Sequence, residues 1–244
     1  MCRMVGIVFR REVPMEWLDD LRHVSEVGMI PDEKRPGHKD GWGMVSFMNG
    51  SPRYIGRSTR EAFLDPSFDS ALREIPKISP PSILMAHVRA LSKGQASLPN
   101  THPFVMGGLA LAHNGTVEDY HPKIRHMPKG ETDSELLLAR LMDLMEEKKD
   151  LRSSVKVLVK EDISTHKYSA AILLVSDGKK LYGYRDFYPG RSSEYYALRI
   201  SRSADSVVLF QQSFLDQDCE LPELRSGELA IVDTGLNIER EMLR

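Results

Sequence analysis

The stretch MCRMVGIVF, residues 1–9, places a cysteine second in the chain and an apolar run directly behind it. A short, continuous apolar run such as Val5-Gly6-Ile7-Val8-Phe9 predicts a buried β-strand. The cysteine side chain is small, so methionine removal is compatible with a cysteine at position 2. The mature chain would then begin with the thiol of Cys2, at the entrance to this strand.

Cys2 could supply a nucleophile and its base at once. A free α-amino group has a pKa of about 7.7–8.0 and a free thiol one of about 8.5. A terminal amine can therefore take the thiol proton and later return a proton to a leaving amine. A buried structural cysteine is the alternative, and position alone does not separate the two.

Composition limits the partners and the compartment. The formal net charge is -2 and the pI about 6.5, which gives no general attraction to nucleic acid or anionic lipid. No apolar stretch is long enough to span a bilayer, and no secretory signal is present. The two cysteines, Cys2 and Cys219, form no disulfide framework or zinc cluster. We expect a cytoplasmic protein without metal or cofactor, in which Cys219 is a buried or half-exposed thiol with no catalytic part.

The remaining pattern predicts a single α+β domain over residues 1–244, with no repeat and no low-complexity linker. Helices are predicted over residues 14–27 and 68–75 and, behind a capping box at Thr132 and Glu135, over 132–148. Hairpin turns are predicted at Asn49-Gly50, Gly107-Gly108 and Asp177-Gly178. Strands are predicted over 42–48, around Tyr54, and over 83–86, 169–175, 180–184, 195–200, 207–210 and 228–232, and a strand or hairpin over 104–113.

Arg89 and two histidines form one candidate site. An arginine at the end of a buried strand suits bidentate binding of a carboxylate, although taken alone it could simply pair with an acidic neighbour. His87 and His102 lie close to it in the sequence. For both, a packed and hydrogen-bonded histidine is the simpler interpretation, and neither is assigned as a base.

Two further clusters have an equally plain alternative. The side-chain amide of Asn114 and the backbone N–H of Gly115 are suitable donors for an oxyanion, but Asn-Gly is also a common hairpin turn. Asp133 could bind a substrate ammonium, or could only favour the first turn of a helix. Each cluster alone favours the structural alternative.

Taken together, these pieces resemble the class II glutamine amidotransferases, which are N-terminal-nucleophile hydrolases. They occur in the family's order and with spacings close to the family's, from Cys2 to about Leu138, with a looser echo at Ser226-Gly227-Glu228-Leu229. The matching pieces are Met1-Cys2 with Gly6-Ile7, Asp40-Gly41-Trp42-Gly43, His87-x-Arg89, Asn100-x-His102-Pro103, His113-Asn114-Gly115 and Glu131-Thr132-Asp133-Ser134-Glu135. Such an ordered set is highly specific.

The resemblance implies a four-layer α-β-β-α sandwich and a role for each matching residue. Cys2 is the nucleophile, and Asn114 with Gly115 forms the oxyanion hole. Arg89 holds the α-carboxylate of glutamine, Asp133 holds its α-ammonium, and His102 joins the substrate-binding set. The implied reaction hydrolyses the side-chain amide of glutamine to glutamate and ammonia through a cysteine thioester, with an ammonia-accepting synthase as a possible partner.

Some positions depart from the synthase-linked members, which carry Trp after the arginine and then Thr and His. Here those places hold Ala90, Ser92 and Lys93, and the Asp40-Gly41-Trp42-Gly43 motif resembles the small stand-alone members. Two alternatives to a glutaminase follow. One is a hydrolase of another γ-glutamyl amide, related to glutathione or thiol metabolism. The other is a non-catalytic, glutamine-binding regulatory subunit, which the intact set of site residues disfavours.

Overall fold

The first strand, β1 (Arg3–Phe9), sends alternate side chains into two different hydrophobic clusters. Val5 and Ile7 pack in a cluster with residues of the first helix, whereas Met4 and Val8 pack in a second cluster. Every residue of β1 is buried, which explains the continuous apolar run in the sequence. The computed structural model describes residues 2–30, 36–91, 95–215 and 222–244. The predictions that concern methionine 1, Ser92, Lys93 and Cys219 lie outside these ranges.

Two six-stranded sheets contain the strands of the described residues. The first has the order β3-β2-β4-β1-β10-β9 and the second the order β12-β11-β8-β7-β6-β5, and all their pairs are antiparallel. Besides β1, the strands are β2 (Trp42–Met48), β3 (Ser51–Ser58), β4 (Ser82–Val88), β5 (Phe104–Met106), β6 (Leu109–Val117), β7 (Tyr168–Ser176), β8 (Lys180–Phe187), β9 (Arg199–Arg202), β10 (Ser206–Phe210), β11 (Glu228–Asp233) and β12 (Ile238–Met242).

Helices cover the outer faces of both sheets. The α-helices are α1 (Glu16–Val27), α2 (Pro66–Glu74), α3 (Asp133–Lys148) and α4 (Leu151–Val157). Trp17 of α1 and Phe68 of α2 pack against the first sheet, and Leu141 of α3 and Val155 of α4 pack against the second. A third cluster joins the two sheets face to face. Three apolar clusters between four layers confirm the α-β-β-α sandwich.

Glycine allows the two sheets to approach. A Cβ on Gly6 of β1 would lie 2.8 Å from Cδ2 of Leu181, which belongs to β8 in the opposite sheet. A Cβ on Gly183 of β8 would collide with Leu209 of β10. These two positions lie in strand interiors, where glycine is normally unfavourable. The close contact between the two sheets requires glycine at both positions.

The structure corrects one predicted strand. Residues 195–200 were expected to be extended, but β9 begins only at Arg199, and Tyr195 and Tyr196 lie in a turn. Backbone carbonyls in this turn accept from arginines instead of from a neighbouring strand: Arg185 Nε donates to the Tyr196 carbonyl at 2.8 Å. The hydrogen bonds from arginine side chains thus override the local β-propensity of the tyrosines.

Candidate active site

Strand register brings Cys2 next to Arg89. In the antiparallel pair β1 and β4, Arg3 lies opposite Val88, so the residue before β1 lies beside the residue after β4. Cys2 is buried, with 8% of its surface exposed, and its Sγ contacts the carbonyl oxygen of Ala90 at 3.8 Å. The nucleophile and the carboxylate-binding residue that the sequence predicts are therefore neighbours.

Asn114 reaches Cys2 from the opposite sheet. The Cys2 backbone nitrogen donates a hydrogen bond to Asn114 Oδ1 at 3.0 Å. Asn114 belongs to β6 and is fully buried. This contact joins two residues 112 positions apart, one next to the first sheet and one in the second.

Gly115 lies inside β6, so the hairpin-turn interpretation of Asn-Gly does not hold here. Gly115 pairs with Ala171 of β7 and has a φ of 149°. A Cβ at this position would collide with the carbonyl oxygen of Ala170. Both the positive φ and the lack of space require glycine, and they leave its backbone at the wall of the cavity.

Asp133 is the first residue of α3, and the residues around its helix end fix its position. The Thr132 side chain caps the helix by accepting from the Glu135 backbone nitrogen. Glu135 does not complete the predicted capping box; its carboxylate accepts from the backbone nitrogens of Lys129 and Gly130 at 2.9 and 2.6 Å. It therefore orders the loop in front of the helix. Asp133 Oδ2 accepts from the Val117 backbone nitrogen at 2.7 Å.

A cavity of about 240 Å³ collects most of the predicted site residues. Cys2, Arg89, His102, Gly115 and Asp133 all line it. Asn114 is the exception, because it lies buried directly behind Cys2. The cavity is therefore lined by a thiol, a guanidinium and a carboxylate. The guanidinium suits the carboxylate of an amino acid and the carboxylate suits its ammonium group, while the thiol can react with its side chain.

Burial lowers the pKa of three histidines near the cavity. Burial lowers the pKa of His102 and His87 well below the ordinary value, and the charge of Arg89 lowers it further. Their rings stack at 4.4 Å, and both ring nitrogens of His102 have no hydrogen-bond partner among the described residues. Burial also lowers the pKa of His113, whose ring nitrogens contact Ser134 Oγ and the Ala170 carbonyl.

Arg3 also contacts Cys2, and no sequence motif pointed to it. Its side chain is 1% exposed, and Nη1 donates to the Cys2 carbonyl at 3.2 Å. The guanidinium lies 3.8 Å above the centre of the Tyr195 ring, and burial lowers the pKa of Arg3. An arginine at the start of an otherwise apolar strand was the one signal that could have revealed it.

A possible metal-ligand set lies away from this cavity. Among the described residues, ligand atoms of His126, Asp143 and Glu146 lie within 4.8 Å of one another. His126 pairs with Asp143 at 2.6 Å, and Arg125 contacts both carboxylates. The three side chains therefore already form an ion-pair network.

The sequence model of the family described as "Glutamine amidotransferases class-II" matches residues 1–233 of the chain. The chain belongs to the class II glutamine amidotransferases. It is 32% identical over 214 residues to "Uncharacterized protein MJ1515" of Methanocaldococcus jannaschii. This match covers 82% of the present chain and 54% of that protein. It is 27% identical over 167 residues to glutamine–fructose-6-phosphate aminotransferase (isomerizing) of Zymomonas mobilis, over 66% of this chain and 25% of that enzyme.

A solved structure shares the fold. Glutamine phosphoribosylpyrophosphate amidotransferase of B. subtilis superposes with a TM-score of 0.67 at 17% identity, over 100% of this chain and 49% of that one. The class II chain described here spans only about half of the archaeal protein and a quarter of the aminotransferase. No helix among its described residues has the length and apolar character needed to cross a membrane.

Proposed function

We propose that the chain hydrolyses the side-chain amide of glutamine to glutamate and ammonia through a thioester on Cys2. The observation that carries the proposal is the contact of the Cys2 nitrogen with Asn114, at a cavity that also presents Arg89 and Asp133. Family membership supports this chemistry. A structural cysteine would not need two charged residues of opposite sign in the cavity that it lines.

The two charged residues would bind the amino-acid end of the substrate. Arg89 presents a guanidinium suited to the α-carboxylate, and Asp133 a carboxylate suited to the α-ammonium. Asp133 is held by Val117 through Oδ2, which leaves Oδ1 for the ligand. His102 would join the substrate-binding set as part of the cavity wall, because both of its ring nitrogens are buried. Binding at this end would orient the amide over the sulfur.

The reaction would begin with transfer of the thiol proton of Cys2 to its own α-amine. The thiolate then attacks the amide carbon, a sulfur–carbon bond forms, and the carbonyl oxygen becomes an anion. The Asn114 side-chain NH2 and the Gly115 N–H would stabilise this anion. Collapse breaks the carbon–nitrogen bond, and the nitrogen leaves as ammonia with the proton of the ammonium. Water, activated by the amine, then hydrolyses the thioester to glutamate.

Another γ-glutamyl amide is the second candidate substrate. The cavity wall also includes Asp119, Tyr120 and His121, which the amino-acid end of glutamine does not need. This additional wall supports an amide that carries a substituent on its nitrogen. Both substrates present the same zwitterion and the same carbonyl, so they share the residues proposed above.

An ammonia-accepting synthase is the proposed partner if glutamine is the substrate. We also propose that residues 1–244 form a single class II domain and that the chain works in the cytoplasm, where the thiol of Cys2 stays reduced. The aminotransferase of Z. mobilis supports the first point only by analogy, because the match covers a quarter of its length.

A substrate screen tests the proposal. Purified protein, with methionine 1 shown by mass spectrometry to be absent, would be assayed for glutamate release from glutamine and from a series of larger γ-glutamyl amides, with and without co-purifying proteins. Turnover of glutamine only with a partner supports the synthase-linked function, and fast turnover of a larger amide supports the second candidate. A diazo-ketone analogue of glutamine should label Cys2 and spare Cys219. Activity in protein that retains methionine 1 would contradict the role of the amine.

A further inference from the structure

We infer that Gln211 is a positioning residue that fixes the orientation of the Asn114 side-chain amide for catalysis. The inference rests on the proposed function, because it concerns the oxyanion donor of that reaction. Gln211 directly follows β10 in the first sheet, and no motif in the sequence points to it.

The contact crosses from one sheet to the other. Asn114 Nδ2 donates to Gln211 Oε1 at 3.2 Å. Both side chains are buried, at 0% and 2% exposure. In such a place a hydrogen bond between two amides has no competing water, so its geometry is strongly specified.

Gln211 and Cys2 contact opposite ends of the same amide. The Cys2 nitrogen donates to Asn114 Oδ1, while Gln211 Oε1 accepts from Nδ2. Rotating the Asn114 amide by half a turn would set its oxygen against the Gln211 oxygen, two acceptors facing each other. The same rotation would set the Asn114 NH2 against the Cys2 N–H, two donors facing each other, so Cys2 and Gln211 together select the one orientation in which the second Nδ2 hydrogen is left for the oxyanion.

The unused end of Gln211 shows which of its atoms matters. Its Nε2 is buried and has no hydrogen-bond partner among the described residues. Leaving a buried donor unpaired costs about 1–3 kcal/mol, so the nitrogen of this glutamine does not stabilise the fold. The function that remains for the side chain is that of its oxygen.

The neighbouring residues hold Gln211 in place. The backbone carbonyl of Gln211 accepts from Arg199 Nη1 at 3.1 Å. Gln212 Oε1 accepts from Arg3 Nε at 3.0 Å and from the Met29 backbone nitrogen at 3.1 Å. Arg3 in turn donates to the Cys2 carbonyl. Of the two consecutive glutamines, Gln211 therefore contacts Asn114 directly, and Gln212 is linked to Cys2 through Arg3.

A double-mutant cycle separates positioning from packing. Gln211→Met keeps a side chain of similar length without the acceptor, and we expect kcat for the best γ-glutamyl substrate to fall about tenfold to a hundredfold, with KM changed less than about threefold. In an Asn114→Ala background the same change should have almost no further effect, because Gln211 acts through Asn114. Equal losses of kcat in the two backgrounds, or an unchanged kcat in the single variant, would overturn the inference. Thermal unfolding confirms that each variant is folded.

A second measurement needs no substrate. Alkylation of Cys2 by iodoacetamide requires neither an oxyanion hole nor a γ-glutamyl group, and its rate would be followed against pH. Asn114→Ala should shift the midpoint of this profile, since Oδ1 contacts the Cys2 nitrogen, and Gln211→Met should shift it in the same direction. A midpoint that moves only in Asn114→Ala overturns the inference. If the unchanged protein releases no glutamate, the proposed function is wrong. The pH profile of alkylation still shows whether Gln211 acts on Cys2 through Asn114.

Discussion

Two buried polar clusters in this molecule differ in how completely their hydrogen bonds are made. Around Cys2, the ring nitrogens of His102 and Nε2 of Gln211 have no partner among the described residues. At Asp186, by contrast, both carboxylate oxygens accept hydrogen bonds, and Ser226 Oγ donates to Oδ1 at 2.6 Å. Unpaired polar atoms are costly to bury, so their concentration at one place indicates a site built for a ligand.

The Asp186 cluster lies on β8, two strands away from Gly115 in the same cross-strand row of the second sheet, and consists of Asp186, Tyr168, Tyr184, Ser226 and Arg244. Tyr168 and Tyr184 donate to Oδ2 at 2.8 and 3.2 Å, and Arg244 pairs with the same oxygen at 3.0 Å. Burial, and then the charge of Asp186, raises the pKa of Tyr168 to about 12. The tyrosine is therefore a permanent donor at neutral pH, and the cluster serves stability.

Cys2→Ala gives the largest expected effect. Removal of the nucleophile should lower kcat for glutamate release by at least about 10⁴-fold, while the free energy of unfolding changes by less than about 1 kcal/mol. Steady-state kinetics and denaturant unfolding measure the two quantities. Cys219→Ala is the matched control and should keep full activity; strong residual turnover in Cys2→Ala would place the nucleophile elsewhere.

Asp186→Ala should show the opposite behaviour. It leaves two buried tyrosine hydroxyls and a serine hydroxyl without their acceptor, and we expect the free energy of unfolding to fall by about 3 kcal/mol. The kcat per folded molecule should stay unchanged. Denaturant unfolding and active-site titration measure both, and a loss of kcat without a loss of stability would break the distinction between the two clusters.

Asp133→Asn tests a residue that has both kinds of contact. The asparagine oxygen can still accept from the Val117 nitrogen, but the charge that would bind the substrate ammonium is lost. We expect kcat/KM to fall about a hundredfold, mainly through KM, with stability little changed. Unaltered binding of glutamine, measured by calorimetry, would reject the proposed role.

Asp65 should give the smallest effect, visible as a pH dependence of stability. Burial alone would raise its pKa, but hydrogen bonds from Ser58 and Ser67 outweigh burial and lower it from 3.8 to about 2. Trp42 Nε1 donates to the same carboxylate at 3.1 Å. Because the pKa is lower in the folded than in the unfolded chain, the Asp65 carboxylate adds about 2 kcal/mol to the free energy of unfolding. This contribution is complete above roughly pH 4 and is lost as the pH falls through about 2.

Urea unfolding at a series of pH values measures this contribution. The Asp65→Asn variant should lack that part of the pH dependence and keep its activity at neutral pH. An identical pH profile in the variant and the unchanged protein would show that Asp65 is not among the carboxylates that cause acid unfolding.

Local patterns predicted most elements of the fold. Asn49 and Gly50 adopt the left-handed φ values of 52° and 74° that their hairpin turn requires, and α3 ends at Lys148, as its periodicity predicted. Two elements, α4 and β12, were missed. β12 is an edge strand with alternating charges and little burial, so its apolar pattern is weak.

The site was predicted as a set of residue types but not as an arrangement. Cys2, Arg89, Gly115 and Asp133 were each named from short motifs, and the structure places all four at one cavity. Arg3 and Gln211 were not found, because their importance comes from partners far away in the sequence.

The sequence by itself determined the chemistry that is available: a thiol at the start of a buried strand, a glycine where no Cβ fits, and a helix that begins at Asp133. Tertiary structure alone decided which end of the Asn114 amide contacts Cys2, and that Gln211 holds the other end. The physical reason is range. Turns, caps and strand patterns act within a few residues, whereas the contact between Cys2 and Asn114 spans 112 positions and forms only when two separate sheets pack face to face.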